Sequence, residues 1–137
     1  MPIKLSLRND DDADPGIVTI KFKGKVRSVA VGEAPFAVAQ WMEEIVRERN
    51  GGKLVGLVDE EMVIEVKNSY VPTLDLIDLP GIVAASIEGE PTNMMSQTRA
   101  LVERYIREKN TLVIAVVSYS PQASSSCSVL RASTNAH

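Results

Sequence analysis

Aromatic, sulfhydryl and imidazole side chains are scarce in this 137-residue sequence: one Trp, three Tyr, two Phe, one Cys and one His. A single cysteine, Cys127, excludes an internal disulfide framework and fits a reducing compartment. No histidine lies near it in sequence, and His137 is the final residue, so neither a Cys–His nor a Ser–His nucleophile has support. Clusters of Cys and His with metal-ligand spacing are absent as well. No run approaches the roughly 18 apolar residues of a membrane span. The longest, residues 112–117, is only strand-sized. The first ten residues alternate around Lys4 and Arg8 and contain no apolar signal core. Excess positive charge is also missing: 15 Lys and Arg against 18 Asp and Glu leave a net charge of −3. That balance gives no general attraction to nucleic acid or acidic headgroups. The expected setting is cytoplasmic.

What is present is ordinary for a folded α/β domain: 45% apolar and 24% charged residues, which excludes wholesale disorder. Residues 3–7 alternate apolar and polar, as do residues 17–22 (IVTIKF), with an acidic, turn-rich stretch (NDDDADPG, residues 9–16) between them. Alternation of this kind predicts strands with one buried face, and their order predicts an antiparallel hairpin with a long acidic tip. From Ala34 the period becomes helical. Phe36, Val38, Trp41, Met42, Ile45 and Val46 form a stripe, opposite Glu43, Glu44, Arg47 and Glu48. Pro35 suits the first turn of that helix and Asn50-Gly51-Gly52 its stop.

Residues 62–66 (MVIEV) read as a strand. Leu74, Leu76 and Ile77 form another, which ends at Asp78-Leu79-Pro80-Gly81, where Pro80-Gly81 stops it abruptly. A second helix carries Met94, Thr98, Leu101, Val102, Tyr105 and Ile106 on one stripe, with Arg99, Glu103, Arg104 and Arg107 on its solvated face. Residues 111–117 (TLVIAVV) follow, and so apolar a run predicts a central parallel strand covered on both faces. Strand, helix and strand then make a βαβ unit with a right-handed crossover. Residues 118–137 contain seven serines and few large apolar side chains, so they are expected to be a disordered tail.

The chemistry concentrates in Leu76-Ile77-Asp78-Leu79-Pro80-Gly81. A carboxylate at the carboxyl end of a buried parallel strand sits where α/β sheets bind ligands. A glycine three residues later allows the backbone to approach a phosphate and donate an N–H. Mg²⁺ retains several waters, so one carboxylate acting through water is sufficient when phosphates supply the remaining ligands. A capping or turn aspartate is the alternative reading of D-x-x-G taken alone.

In combination, residues 71–82 (VPTLDLIDLPGI), the downstream EGEP of residues 88–91, a helix and residues 110–117 (NTLVIAVV) resemble the GTPase domain of the dynamin superfamily. The opening residues 2–7 (PIKLSL) are similar to the strand after that family's first switch. The resemblance implies a partial P-loop GTPase-type α/β sheet flanked by helices over residues 1–117, followed by the tail. It further implies that Asp78 holds Mg²⁺ through water, that the Gly81 N–H faces the γ-phosphate of GTP, and that Leu79 and Pro80 shape the second switch. Residues 82–91 would rearrange on hydrolysis and contribute to pairing with other dynamin-like GTPase domains. Asp75 stands where the family usually has a neutral residue. The implied activity is GTP hydrolysis within a membrane-remodelling protein, with any membrane association of this chain indirect and peripheral.

The sequence contains no G-x-x-x-[ST]-G-K-[ST], so no P-loop lysine reaches a phosphate, and no [TN]-K-x-D follows residue 117. The resemblance therefore implies a fragment that is inactive alone. The alternative is a catalytically inactive interaction fragment that pairs with full-length dynamin-like proteins.

Three further features have simpler readings. Asp10, Asp12 and Asp14 have the spacing that opens an EF-hand loop, but Pro15 and Lys21 stand where glycine and glutamate are required, so a solvated loop tip is expected. Lys21, Lys23, Lys25 and Arg27 form a basic strip that alternation assigns to one strand face, as edge protection. Trp41 and Met42 are assigned to core packing.

Overall fold

The computed structural model describes residues 1–52, 56–81, 93–109 and 111–116. Its elements are β1 (Ile3–Arg8), β2 (Ile17–Phe22), β3 (Lys25–Ala30), α1 (Ala34–Arg49), β4 (Met62–Lys67), β5 (Leu74–Asp78) and α2 (Met94–Ile106). The strands form one mixed sheet in the order β3-β2-β4-β1-β5. β1 and β4 run parallel, and every other pairing is antiparallel. This is an α/β fold of the expected class.

The expected β1–β2 hairpin does not form: β4 lies between the two strands, with Leu5 beside Ile64 on one side and Ile20 beside Ile64 on the other. Two local causes favour that arrangement. Residues 9–16 are too long a connection to enforce pairing, whereas β2 and β3 are joined by only Lys23 and Gly24, both at positive φ (46° and 77°). That two-residue geometry matches the twist of a hairpin and commits one edge of β2 to β3. The other edge is left for β4. At the opposite end, the Asn68 N–H donates to the Arg8 carbonyl at 3.1 Å and holds β1 against β4.

Register sorts the side chains by face. Val18, Ile20 and Phe22 of β2 share a face with Met62, Ile64 and Val66 of β4, and α1 covers it. Ile20 and Met62 are fully buried; Trp41 and Ile45 meet them from the helix, together with Val58 from the loop before β4. Phe22 and Trp41 pack edge to face at 6.4 Å between ring centroids. Full burial of a side chain such as Ile20 stabilises the fold by about 1.5–3 kcal/mol. The opposite face is polar and carries Lys4, Ser6, Arg8, Lys21, Glu65 and Asp75.

The basic strip divides between the faces. Pairing across the two-residue turn sets Phe22 beside Lys25 and Ile20 beside Arg27, so Lys25 and Arg27 lie on the α1 side while Lys21 lies on the other. Arg27 stacks over the Trp41 ring at 4.2 Å and bonds Glu44 at 3.0 Å; Lys21 reaches Glu65 at 2.9 Å. The turn shifts the alternation by one position. A one-face strip would have required the strand to continue through it.

α1 begins with Pro35 in its first turn and ends at Asn50, whose side-chain amide donates to the Val46 carbonyl at 2.8 Å. Gly51 follows at φ 61°, a left-handed position that suits glycine and turns the chain away. Phe36, assigned to the stripe, is instead 75% exposed. Ala34, in the same turn, is the residue that enters the core, so Phe36 lies off the buried face. Met42 packs against the core as expected. In α2, Thr98, Leu101 and Val102 are buried as the stripe predicts, whereas Ile106 at the last turn is exposed.

Two expectations about the far side of the sheet are corrected. β5 is an edge strand, antiparallel to β1, and all five of its residues are exposed, so it is neither buried nor parallel. Residues 111–116 form no strand, and their exposure runs from 52% for Val113 to 92% for Val116. An apolar run becomes a central strand only where neighbours cover both of its faces. Among the described residues the sheet ends at β5 and offers no such slot, so the βαβ unit is not formed. The expected tail at residues 118–137 and the loop at residues 82–91 lie outside the described residues, as does Val117. No helix among the described residues is long and apolar enough to cross a membrane.

Candidate functional site

β5 ends on Asp78, opposite Ile3 at the start of β1, and residues 79–81 leave the sheet there without regular structure. Leu79 and Pro80 are half-buried, whereas Asp78 and Gly81 are exposed. The four residues assigned to nucleotide binding thus sit together at one corner of the sheet. Asp78 does end a strand, as expected, but the strand is an antiparallel edge.

β5 carries two carboxylates with opposite circumstances. Asp75 and Asp78 are three positions apart, so they project from opposite faces of the strand. On the polar face Asp75 meets three partners from β1: Lys4 at 3.0 Å, Arg8 at 2.8 Å and the Ser6 hydroxyl at 3.0 Å. The Arg8 guanidinium above all, and then the Lys4 ammonium, hold its carboxyl well below the usual carboxylate range. Arg8 is raised in return by that hydrogen bond. Ser6, a polar residue only 4% exposed, is satisfied by the same contact. Asp78 has no ion pair or side-chain hydrogen bond among the described residues. Desolvation lowers the Met1 α-ammonium at this end of the sheet, while the Asp59 and Asp78 charges pull it upward.

Asp59 itself is engaged. Arg104 of α2 grips it through two nitrogens at 2.7 and 3.2 Å, which raises the guanidinium pKa, and Tyr105 donates to Glu61 at 3.2 Å. Burial, followed by the Glu61 charge, pushes the Tyr105 hydroxyl up. α2 is thereby pinned to the segment that enters β4, at the same end of the sheet as Asp78.

Gly81 occupies open space: a Cβ built there would touch nothing within 4 Å. The described residues alone place no steric demand for glycine at this position. Among the described residues no group of three or more His, Cys, Asp or Glu could hold a metal ion. One uncommitted carboxylate fits an ion that arrives with phosphates and keeps its waters; it does not fit an ion held by protein alone. A cleft of about 150 Å³ between the β2–β3 hairpin and α1 lies elsewhere. Arg27, Trp41 and Glu44 line it and already bond one another there. At the acidic tip, Asp14 accepts the Gly16 N–H at 2.8 Å and Asp10 the Asp12 N–H at 3.2 Å, so two of its carboxylates serve turns.

Sequence reasoning singled out Asp75 as unusual without finding its partners. The available signal was the alternation of Lys4, Ser6 and Arg8, which places two cations and a hydroxyl on one face of β1.

Comparison with known proteins agrees with the motif. The family model described as "Dynamin family" matches residues 1–136. An "Interferon-induced GTP-binding protein Mx" of Epinephelus coioides is 28% identical over 116 residues, 85% of this chain and 18% of the relative. "Interferon-induced GTP-binding protein Mx1" of Equus caballus is 34% identical over 100 residues, 71% of this chain and 15% of the relative. The protein of the same name from Ictalurus punctatus is 37% identical over 79 residues, 56% of this chain and 12% of the relative. The chain thus spans less than a fifth of the length of each of these three relatives.

Proposed function

Because the chain belongs to the dynamin family, we propose that it carries the second-switch portion of a GTP-binding and GTP-hydrolysing domain. Asp78 is the metal-side carboxylate, acting on Mg²⁺ through water, and the Gly81 N–H is the donor to the γ-phosphate. Leu79 and Pro80 hold the turn that presents them. The observation that carries this reading is the division of labour on β5: Asp75 is consumed by Lys4 and Arg8, while Asp78 is exposed and uncommitted among the described residues.

Bound with GTP, Mg²⁺ would neutralise charge that develops between the β- and γ-phosphates. The chain's own residues contribute position. Asp78 fixes the metal's water shell, and Gly81 lets the backbone approach with no side chain in the way. Phosphoryl transfer depends almost entirely on such positioning and on charge neutralisation, and a single carboxylate and one N–H are too few groups. The 137-residue chain by itself is therefore not a GTP hydrolase. Any membrane association of these residues is indirect and peripheral in this reading. A second reading, an inactive fragment that pairs with full-length dynamin-like proteins, is favoured by the absence of a P-loop motif from the sequence.

A chimera tests the proposal. Residues 71–81 of this chain replace the matching segment of the Equus caballus relative, and phosphate release from GTP is followed with and without Mg²⁺. Retained hydrolysis is expected, with Asp78→Ala in the chimera weakening Mg²⁺-dependent turnover more than nucleotide binding. Equal effects on both, or none, would refute the assignment of Asp78. Mg²⁺-dependent turnover by the native chain, abolished by Asp78→Ala, would overturn its inactivity.

A further inference from the structure

We propose that α2 is a latched helix: a charge clasp in its last turns holds it to the segment that enters β4, and it is released as one unit while the sheet stays folded. The clasp uses two adjacent side chains. Arg104 donates to both carboxylate oxygens of Asp59, at 2.7 and 3.2 Å, and the Tyr105 hydroxyl donates to Glu61 at 3.2 Å. The Arg104 guanidinium also lies 5.3 Å from the centre of the Tyr105 ring, so the two members support each other. The receiving side is rigid. Val58 and Met62, on either side of residues 59–61, are buried in the central cluster. Between them Glu60 joins Lys23 of the hairpin turn to Arg49 at the end of α1, at 2.5 and 3.3 Å. Asp59 and Glu61 are therefore fixed to the sheet and to α1, and do not follow α2 when it departs.

The helix side is lightly held. Thr98, Leu101 and Val102 are its buried residues, and Leu101 and Val102 stand outside the cluster that α1 fills. Its start has no side-chain cap and no acidic residue in the first turn, so that end contributes little. Elements with few buried contacts open at low free energy. The Arg104 and Asp59 side chains are 53% and 61% exposed, so salt reaches the pair that closes the latch. Release does not require melting. Glu103 accepts from Arg99 at 3.2 Å and lies 3.6 Å from Arg107, and both pairs stay within the helix and its C-cap, where they stabilise it away from the sheet. α2 is also the first described element after Gly81. Under the function proposed above, on which this consequence alone rests, the latch sets where the chain leaving the nucleotide corner is anchored.

Amide exchange on the full chain, with no nucleotide present, tests the latch independently of any role for Asp78. Asp59→Asn keeps the shape of the side chain and removes its charge. It should speed exchange of residues 98–106 by a common factor of roughly two to five, with β2 and β4 unchanged. Raising salt to about 1 M, where screening acts over about 3 Å, should speed exchange in α2 of the wild type and leave the variant as it was. Arg104→Lys retains the charge without the two-pronged contact and should fall between the two. Exchange in α2 unaltered by Asp59→Asn, or a wild type indifferent to salt, would overturn the proposal. So would equal acceleration in α2 and β4, which would mean loss of the whole fold, or acceleration that fades along α2 from its C-terminal end, which would mean fraying.

Discussion

Replacing Asp75 with asparagine keeps the shape of the side chain and removes its charge. In the folded protein that charge faces Arg8 at 2.8 Å and Lys4 at 3.0 Å, with the Ser6 hydroxyl donating at 3.0 Å. Exposed ion pairs are each worth about 0.2–1 kcal/mol. The Asp75 side chain is 35% exposed, so solvent screening keeps both pairs toward the lower half of that range, and together they contribute about 1 kcal/mol. The amide can still accept from Ser6, so that buried hydroxyl is not orphaned. Asp75→Asn should therefore lower stability by about 1 kcal/mol at neutral pH, read as a shift of the urea midpoint without a change in slope. The pH dependence supplies the decisive check. The Asp75 pKa is depressed in the fold, so its contribution is present above the ordinary carboxylate value of about 4 and is lost as pH falls through that value and the lower folded one. Wild type should lose stability relative to the variant across that window, and the two should converge in strong acid. A gap undiminished in strong acid, below the folded value, would mean that the loss comes from packing and not from charge. No gap at neutral pH would mean that Lys4, Arg8 and Asp75 are merely neighbours.

Other perturbations separate the parts of the fold. Ile20→Ala, at a fully buried position on the central face, should cost about 2–5 kcal/mol by chemical denaturation. A cost below about 1 kcal/mol would contradict the burial described for β2. Gly24→Ala places a Cβ at φ 77° in the hairpin turn and should destabilise by about 1 kcal/mol, whereas Gly81→Ala, with nothing within 4 Å of the new atom, should stay within about 0.5 kcal/mol of wild type. In the chimera, the same Gly81→Ala change should impair the response to the γ-phosphate despite this neutral effect on folding; nucleotide-dependent tryptophan or labelled-GTP fluorescence reads it. Arg27→Ala removes the guanidinium stacked over Trp41 and should alter the indole emission with only a small loss of stability, since Trp41 stays buried between α1 and the sheet.

The sequence by itself determined what depends on neighbours along the chain. The period-2 runs at residues 3–7, 17–22 and 62–66 are strands, and the helical stripes after Ala34 and Met94 are helices, because alternation and 3.6-residue spacing are local patterns that a side chain's environment must obey. The D-x-x-G motif and its flanking apolar strand were legible for the same reason, and together with EGEP at residues 88–91 and the apolar run of residues 110–117 they pointed to the dynamin family. Tertiary structure alone decided which strands are neighbours. β4 enters between β1 and β2 because a two-residue turn gives one edge of β2 to β3 and leaves the other open, a choice no single run of residues contains. Residues 111–116 are as apolar as any buried strand, yet they lie exposed. Burial depends on whether a place exists between two covered faces, and the described sheet ends at β5. The same holds for the two aspartates of β5, alike in sequence. Asp75 is taken up by cations on β1, and Asp78, on the opposite face, has no ion pair among the described residues, because register determines which charges come within reach of which.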